Sequence, residues 1–284
     1  MPVRAHSDRN SDAFGIAGAH RGVDSGVSHT SDAVSAPVHA PSHLVDRARD
    51  GWAAWRQRRL HAVTAPQGNL ALVETRWLGD DASGNETDAT AGQPQSVTVT
   101  RLQRLNLDTG EPEHGIRFWD AASAAITHFD TVTAWDFDPA WVISARFTPV
   151  SADRTIPFEH IRDNGGTRDL VVPGDITFTL GGIDYTFSAF DDDGTLLLVF
   201  GDASNGLPGD AGSYAAGRFL FVERERTEFG EPGDVVLDFN RAFVPPCGFS
   251  IHYNCPMPPP NNRFAFPVHA GEKAVRFRGG HTLH

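Results

Sequence analysis

Apolar and polar residues alternate in short runs along most of this chain, and turns rich in glycine and aspartate separate the runs. The clearest stretch spans residues 175–200. Ile176, Phe178 and Leu180 alternate with polar neighbours, Gly181-Gly182 follows, and Ile183, Tyr185, Phe187 and Ala189 alternate again. Two glycines between period-two runs signal a two-residue hairpin, because both turn positions favour positive φ. Asp191-Asp192-Asp193-Gly194 turns the chain once more before Leu196, Leu198 and Phe200. The pattern predicts a three-stranded antiparallel meander. Further strands are expected at residues 70–78, 95–107, 116–119, 126–132, 141–148, 217–222 and 234–240. Within 95–107 the alternation changes phase between Val99 and Leu102, which predicts a bulge.

One segment follows a helical period instead. Leu44, Ala48, Trp52 and Trp55 form an apolar stripe from a Ser42 cap to about residue 60. Asp46, Arg49, Arg56 and Arg59 are expected on the other faces, so the helix would cover one side of a sheet. An aromatic box on the stripe is the functional alternative. Residues 1–41 hold only scattered apolar side chains and read as a disordered tail. Its histidines (His6, His20, His29 and His39) show no paired ligand spacing. Residues 80–94 read as a surface loop, with an Asn-Glu-Thr sequon at Asn85 that matters only in a secreted chain. The expected fold class is mainly β, an antiparallel β-sandwich or barrel-like sheet with one N-terminal covering helix. It forms a single domain over residues 42–284.

Composition narrows the partners. Hydrophobic residues make up 40 % of the 284, enough for a sizeable core, and 19 Phe and 6 Trp can dominate it. A net charge of −12 repels phosphate backbones, so no nucleic-acid partner is expected. No apolar run is long enough to cross a membrane, and the first residues lack the apolar centre of a secretory signal. A cytoplasmic location follows as an expectation, with the two cysteines as thiols, metal ligands or redox groups more than staples.

The chemistry concentrates in residues 238–273. Prolines at 245, 246, 256, 258, 259 and 260 fix φ and remove backbone donors, which makes a stiff loop able to hold polar groups in place. Cys247 and Cys255 flank His252. Three readings stand side by side. A disulfide across the loop would stabilise by roughly 2.6 kcal/mol on the chain-entropy estimate. A metal site could use Cys247, Cys255 and His252 with Asp238 or His269, but the spacing matches no standard zinc pattern, and no metal is assigned. A nucleophilic thiol would need a base such as His252 within reach. Arg218, Asp238, Asn240, Asn262, Arg263, Glu272 and Lys273 are the other polar groups of interest. Structurally they would form the ion pairs Arg218–Asp238 and Arg263–Glu272, which pin the loop to the sheet. Functionally they would line a pocket for an anion, with arginine as a bidentate clamp. The acidic turn at 191–194 fails the calcium-loop pattern, since Ala189 stands where a first carboxylate belongs.

The stretch GRFLFVERERTEFGEPGDVVLDFNRAFVPPCGFSIHYNCPMPPPNNRFAFPVHAGEK resembles the hallmark of the domain-of-unknown-function family DUF 1684. GWAAWRQRRLHAVTAPQGNLALVETRWL, VVPGDITFTLGGIDYTF and FGDASNG with SYAAGRFLF are similar to its opening helix and strand, its meander and its Asp-x-Ser…Tyr…Gly-Arg stretch. The resemblance spans about residues 45–278. It implies a β-rich domain and no settled activity. Position by position it singles out Asp202, Ser204, Tyr214, Gly217, Arg218, Asp238, Asn240, Pro246, Cys247, Cys255, Pro256, Asn262, Gly271, Glu272 and Lys273. Two places depart from the family: Trp77-Leu78 runs straight into Gly79, and His252 is not at a histidine position.

Two functions follow as expectations. The first is binding of a small polar or anionic ligand at the proline-rich cysteine loop, through Arg218, Asn240, Asn262 and Arg263. The second is a hydrolase-like or thiol-dependent enzyme using Asp238 or Cys247. A third reading makes the cysteines mere braces of a partner-binding protein. No catalytic residue, cofactor or oligomeric state is legible in the pattern.

Overall fold

A computed structural model describes residues 40–78, 89, 91–224 and 228–283. The expected tail (all but its last two residues) and the Asn85 sequon lie outside them. The fold is mainly β and antiparallel, with a nearly closed barrel-like sheet and one long N-terminal helix.

The barrel is built from β5 (Val142–Pro149), β8 (Gly174–Leu180), β9 (Ile183–Asp192), β10 (Thr195–Phe200), β11 (Arg218–Phe221), β12 (Glu223–Arg224) and β13 (Gly233–Asp238). The hydrogen-bonded order is β11-β10-β9-β8-β5-β13-β12. Only Val222 separates β11 from β12, so one continuous segment supplies both edges of the sheet. Its first half pairs with β10, its second half pairs with β13, and the Val222 amide donates to Leu196 O. That shared strand is what nearly closes the barrel and leaves little free edge.

The meander forms as its alternation predicts. Leu180 pairs with Ile183 across Gly181 and Gly182, whose φ values of 60° and 79° suit the two-residue turn. Inward residues of six strands, among them Phe147, Ile176, Phe178, Phe187, Leu198, Phe200, Leu220 and Leu237, form one buried core. Phe264, Val268 and Ala270 enter that core from the segment after the proline-rich loop. Phe264 lies 5.1 Å from both Phe187 and Tyr185, so the barrel is filled with aromatic rings.

The opposite face of β9–β11 is buried too. Phe190, Leu197, Val199 and Phe219 pack against Trp119, Phe158, Phe243, Cys247, Tyr253 and Cys255. This explains why β10 reads Leu-Leu-Leu-Val-Phe without alternation: both its faces are covered. The covering layer comprises a three-stranded sheet of β1 (Leu72–Trp77), β2 (Val97–Leu105) and β3 (Pro112–Asp120), the hairpin of β6 (Thr155–Glu159) and β7 (Thr167–Val171), and the loop after β13. A short helix α2 (Ala124–His128) leads into β4 (Phe129–Ala134), which pairs with β14 (Glu272–Phe277).

Several expectations are corrected. The expected strand at 126–132 begins as α2, because Ser123 caps it by accepting from the Ile126 amide. The expected bulge at 95–107 is absent: β2 stays in register with β3 throughout, and the irregularity falls between Leu72 and Glu74 of β1. The change of phase has another cause, since Val99 is buried while Leu105 on the same face is exposed. The helix α1 (Ser42–Val63) has Pro41 at its cap position and no side-chain cap. Its buried face is Ala48, Trp55, Arg59 and Val63, so Arg59 continues the apolar stripe that it was expected to avoid. No described helix is long and apolar enough to cross a membrane.

Candidate functional site

After β13 the chain runs as a single-turn helix (Phe239–Arg241), then an extended segment, then a second tight turn at Pro246–Gly248 that holds Cys247. Phe243 exchanges backbone hydrogen bonds with Phe219, which fastens the segment to the barrel edge. Pro256 bridges to His160, and Arg263 bridges to Gly201. The loop is therefore stitched to the barrel near both ends and to the hairpin of β6 and β7 in its middle.

Most of the signature side chains face inward. Arg218 is fully buried: Nη2 donates to Asp202 Oδ2 at 2.8 Å and to Val268 O at 2.8 Å, while Nη1 donates to Ala270 O. Asp202 also accepts from the amides of Ser204 and Val268, at 2.8 and 3.1 Å. Ser204 and Ser213 share a hydroxyl contact of 2.8 Å. Asn262 accepts from the Ser188 amide and donates to Ser188 O and Val199 O, so it replaces a missing rung between β9 and β10. Asn240 performs the same service for Asp138, accepting from its amide at 2.8 Å and donating to its carbonyl at 3.0 Å. Asp238 Oδ1 accepts from Asn240, and Arg241 Nε stands 3.2 Å from Oδ2. Burial pushes the Asp238 carboxyl up from its ordinary value, against hydrogen bonding by Asn240 and the nearby Arg241. Arg263 donates to Pro258 O at 2.8 Å. Lys273 reaches Asp210 at 3.6 Å and lies over the Trp135 ring.

Two expected ion pairs are replaced by others. Arg218 pairs with Asp202 and not with Asp238. Glu272 is held by Arg56 and Arg59 of α1 and not by Arg263. The reason is topological: β14 returns beside the helix, far along the chain from both arginines.

Cys247 and Cys255 are both buried free thiols. The Cys247 amide donates to Cys255 Sγ at 3.2 Å, and the Tyr214 hydroxyl donates to Cys247 Sγ at 3.5 Å. These contacts make the two sulfurs inequivalent. Donation from Cys255 pulls the Cys247 thiol below its ordinary value in spite of burial, with Tyr214 and the positive charge of Arg162 adding to the effect. Burial pushes the Cys255 thiol up, and its bond to Cys247 pushes it the same way. The Tyr214 hydroxyl is raised by burial and then by Cys247. Among the described residues no three His, Cys, Asp or Glu side chains stand together as a metal set. No hydrogen bond among the described residues joins the His252 ring to either thiol; its carbonyl accepts from Thr75, and burial and then Arg162 lower its ring.

A cavity of about 520 Å³ opens over Cys247, outside the barrel. Tyr214, Cys247 and Gly248 line one side. Val275, Arg276 and Phe277 of β14, with His281 to Leu283 beyond it, line another. Arg162 and Ile251 complete it. Arg162 is held by its backbone amide to Asn254 and by Nε to Tyr253 O, both at 2.9 Å. Of the signature residues only Tyr214 and Cys247 reach this cavity. Arg162, Arg276 and His281 were not singled out from the sequence, because Arg162 lies more than a hundred residues before the other two and they form no motif.

Fold and site together define an antiparallel β-barrel protein with a covering helix and an asymmetric dithiol beneath a cationic cleft. The chain belongs to the family described as protein of unknown function (DUF1684), whose model matches residues 127–273. The match runs from α2 to the second residue of β14, so it contains the barrel and the dithiol. A solved structure similar to it is the solution NMR structure of an uncharacterized protein from Haloarcula marismortui. The two are 29% identical, with 51% of this chain and 77% of that chain covered, at a TM-score of 0.42. No curated protein matches the chain.

Proposed function

We propose that this protein binds a small organic anion with an apolar portion in the cleft over Cys247. One observation carries the reading. Among the described residues the charged or titratable nitrogen groups lining the cavity are Arg162, Arg276 and His281, and no Asp or Glu side chain lines it, in a chain whose net charge is −12. An acidic protein that gathers cations around one cleft favours an anion there over bulk solvent. Ile251, Val275, Phe277 and Leu283 supply apolar contacts for the rest of the molecule. Arg218, Asn240 and Asn262 do not line the cavity, and their polar atoms serve the fold.

Calorimetric titration with straight-chain carboxylates, from acetate to decanoate, tests the reading. Saturable binding that strengthens with chain length is expected. Arg162→Ala should weaken it roughly tenfold or more, the worth of one charge-assisted hydrogen bond. If no carboxylate in the series binds, or if Arg162→Ala and Arg276→Ala bind as well as the wild type, the reading fails.

A thiol-dependent enzyme is the second reading, and the Tyr214 contact to Cys247 favours it. Asp238 is buried and absent from the cavity lining, so this reading rests on Cys247 alone. Iodoacetamide should then label Cys247 well ahead of Cys255 at neutral pH. Equal, slow labelling of both would remove its support.

A further inference from the structure

The two cysteines are almost equally buried, at 7 % and 6 % exposed, and differ in what they face. Cys247 lines the cavity, whereas Cys255 does not. Cys255 instead lies behind it, with its sulfur 3.2 Å from the Cys247 amide. Pro246 precedes Cys247 and Pro256 follows Cys255, so the backbone on both sides is restrained and the pair stays poised. Tyr214 holds the Cys247 sulfur from the cavity side. This places an attacking sulfur at an opening and a second sulfur immediately beneath it.

We propose that Cys247 and Cys255 form a reversible dithiol–disulfide couple that reduces a hydroperoxide entering the cavity, with Cys247 attacked first and Cys255 as the resolving thiol. In the first step the Cys247 thiolate attacks the terminal peroxide oxygen. The S–O bond forms as the O–O bond breaks, Cys247 is oxidised to a sulfenic acid, and the peroxide leaves as an alcohol after taking up a proton. In the second step Cys255 sulfur attacks Cys247 sulfur. The S–S bond forms, the S–O bond breaks, and hydroxide leaves with the Cys255 proton as water. Two thiols and one hydroperoxide thus give one disulfide, one alcohol and one water. Two equivalents of a low-molecular-weight thiol return the couple to the dithiol by exchange, supplying two electrons and two protons and leaving as their own disulfide. Hydrogen bonding from Cys255 and Tyr214 acts in the same sense as this order of events, because it favours the thiolate on Cys247. The proposal goes beyond anion binding and does not depend on it.

The experiment uses the reduced full chain with no other ligand present. Hydrogen peroxide or cumene hydroperoxide is added, free thiols are alkylated under denaturing conditions, and the intact mass is measured. Loss of both alkylatable thiols together, with the mass of two hydrogens gone and restored by added thiol, is the expected result. Cys255→Ser should stop at a sulfenic acid on Cys247 that dimedone traps. Cys247→Ser should leave Cys255 unreacted. The proposal is overturned if both thiols persist under peroxide that oxidises free cysteine. It is equally overturned if each cysteine oxidises independently to higher oxyacids, or if Cys255 reacts as fast without Cys247. Should either variant fail to fold, the paired or unpaired loss in the wild type still decides. Because no anion is in the assay, failure of the carboxylate titration leaves this result untouched.

Discussion

Arg59 of α1 and Glu272 of β14, 213 residues apart, form a buried ion pair with Nε and Oε1 3.2 Å apart. The arrangement satisfies nearly every polar atom involved. Arg59 also donates to Val244 O at 2.8 Å and to Asn69 Oδ1 at 3.2 Å, while Glu272 Oε2 accepts from the Val244 amide at 2.9 Å. Helix, strand and the start of the proline-rich loop therefore meet at one carboxylate.

Removing that carboxylate leaves a buried guanidinium with no counter-charge. Glu272→Ala should cost about 3–5 kcal/mol, the usual loss when one member of a buried pair is deleted. Arg59→Met with Glu272→Leu should cost less than Glu272→Ala alone, since apolar side chains need no partner. Urea unfolding of the three proteins measures both. A loss under about 1 kcal/mol for Glu272→Ala would show that solvent reaches the site.

The Arg218–Asp202 pair predicts a dependence on pH. Burial by itself pushes the Asp202 carboxyl up, but Arg218 and the Ser204 hydrogen bonds outweigh it and hold it below its ordinary value of 3.8. A carboxylate lowered on folding adds stability above its unfolded pKa and loses it as pH falls through the folded one. Asp202→Asn should therefore melt well below the wild type from about pH 8 to about pH 5, and the gap should close below about pH 4. A gap of constant width down to about pH 3 would contradict the assignment.

Gly217 tests how tightly the loop is seated on the barrel. It takes a φ of 89°, and a Cβ there would lie 2.5 Å from Pro258 Cγ and 2.7 Å from Phe200 O. Gly217→Ala combines left-handed strain of about 1–2 kcal/mol with overpacking of about 1–3 kcal/mol. The expected loss is about 2–5 kcal/mol by denaturant unfolding. Alanine tolerated without loss would mean that Pro258 yields freely.

Particular residues show what could be read from the sequence. The meander was legible because Gly181-Gly182 and Asp193-Gly194 take positive φ between alternating strands. The strands at 155–159, 167–171 and 272–277 were not singled out. In the first, Pro157 interrupts the pattern of a strand with just one buried residue, Phe158. In the last, Glu272 and Lys273 look like surface residues, yet Glu272 is buried with Arg56 and Arg59 and Lys273 is buried over the Trp135 ring. Arg59 was hidden for the same reason. Tyr214 and Cys247 could be found through the signature, whereas the basic side chains facing them could not. Arg162, Arg276 and His281 meet solely because the hairpin of β6 and β7, the loop and β14 pack on one side of the barrel.

Asp192, at the end of β9, predicts the opposite pH response to Asp202. Burial, and then the neighbouring charges of Asp191 and Asp193, raise its carboxyl from 3.8 to about 6. At neutral pH the folded protein must hold this group ionised in a place that disfavours charge. Between the unfolded and folded values the native state binds the extra proton, so stability falls as pH rises across that window. Asp192→Asn removes the penalty. The shift corresponds to roughly 3 kcal/mol at most, which partial exposure of the side chain reduces to about 1–2 kcal/mol. The variant should melt above the wild type at about pH 7, and the advantage should shrink towards about pH 4. Thermal unfolding of both proteins across that range measures it. An advantage independent of pH would point to asparagine fitting the turn better, and no advantage at neutral pH would mean that Asp192 is well solvated.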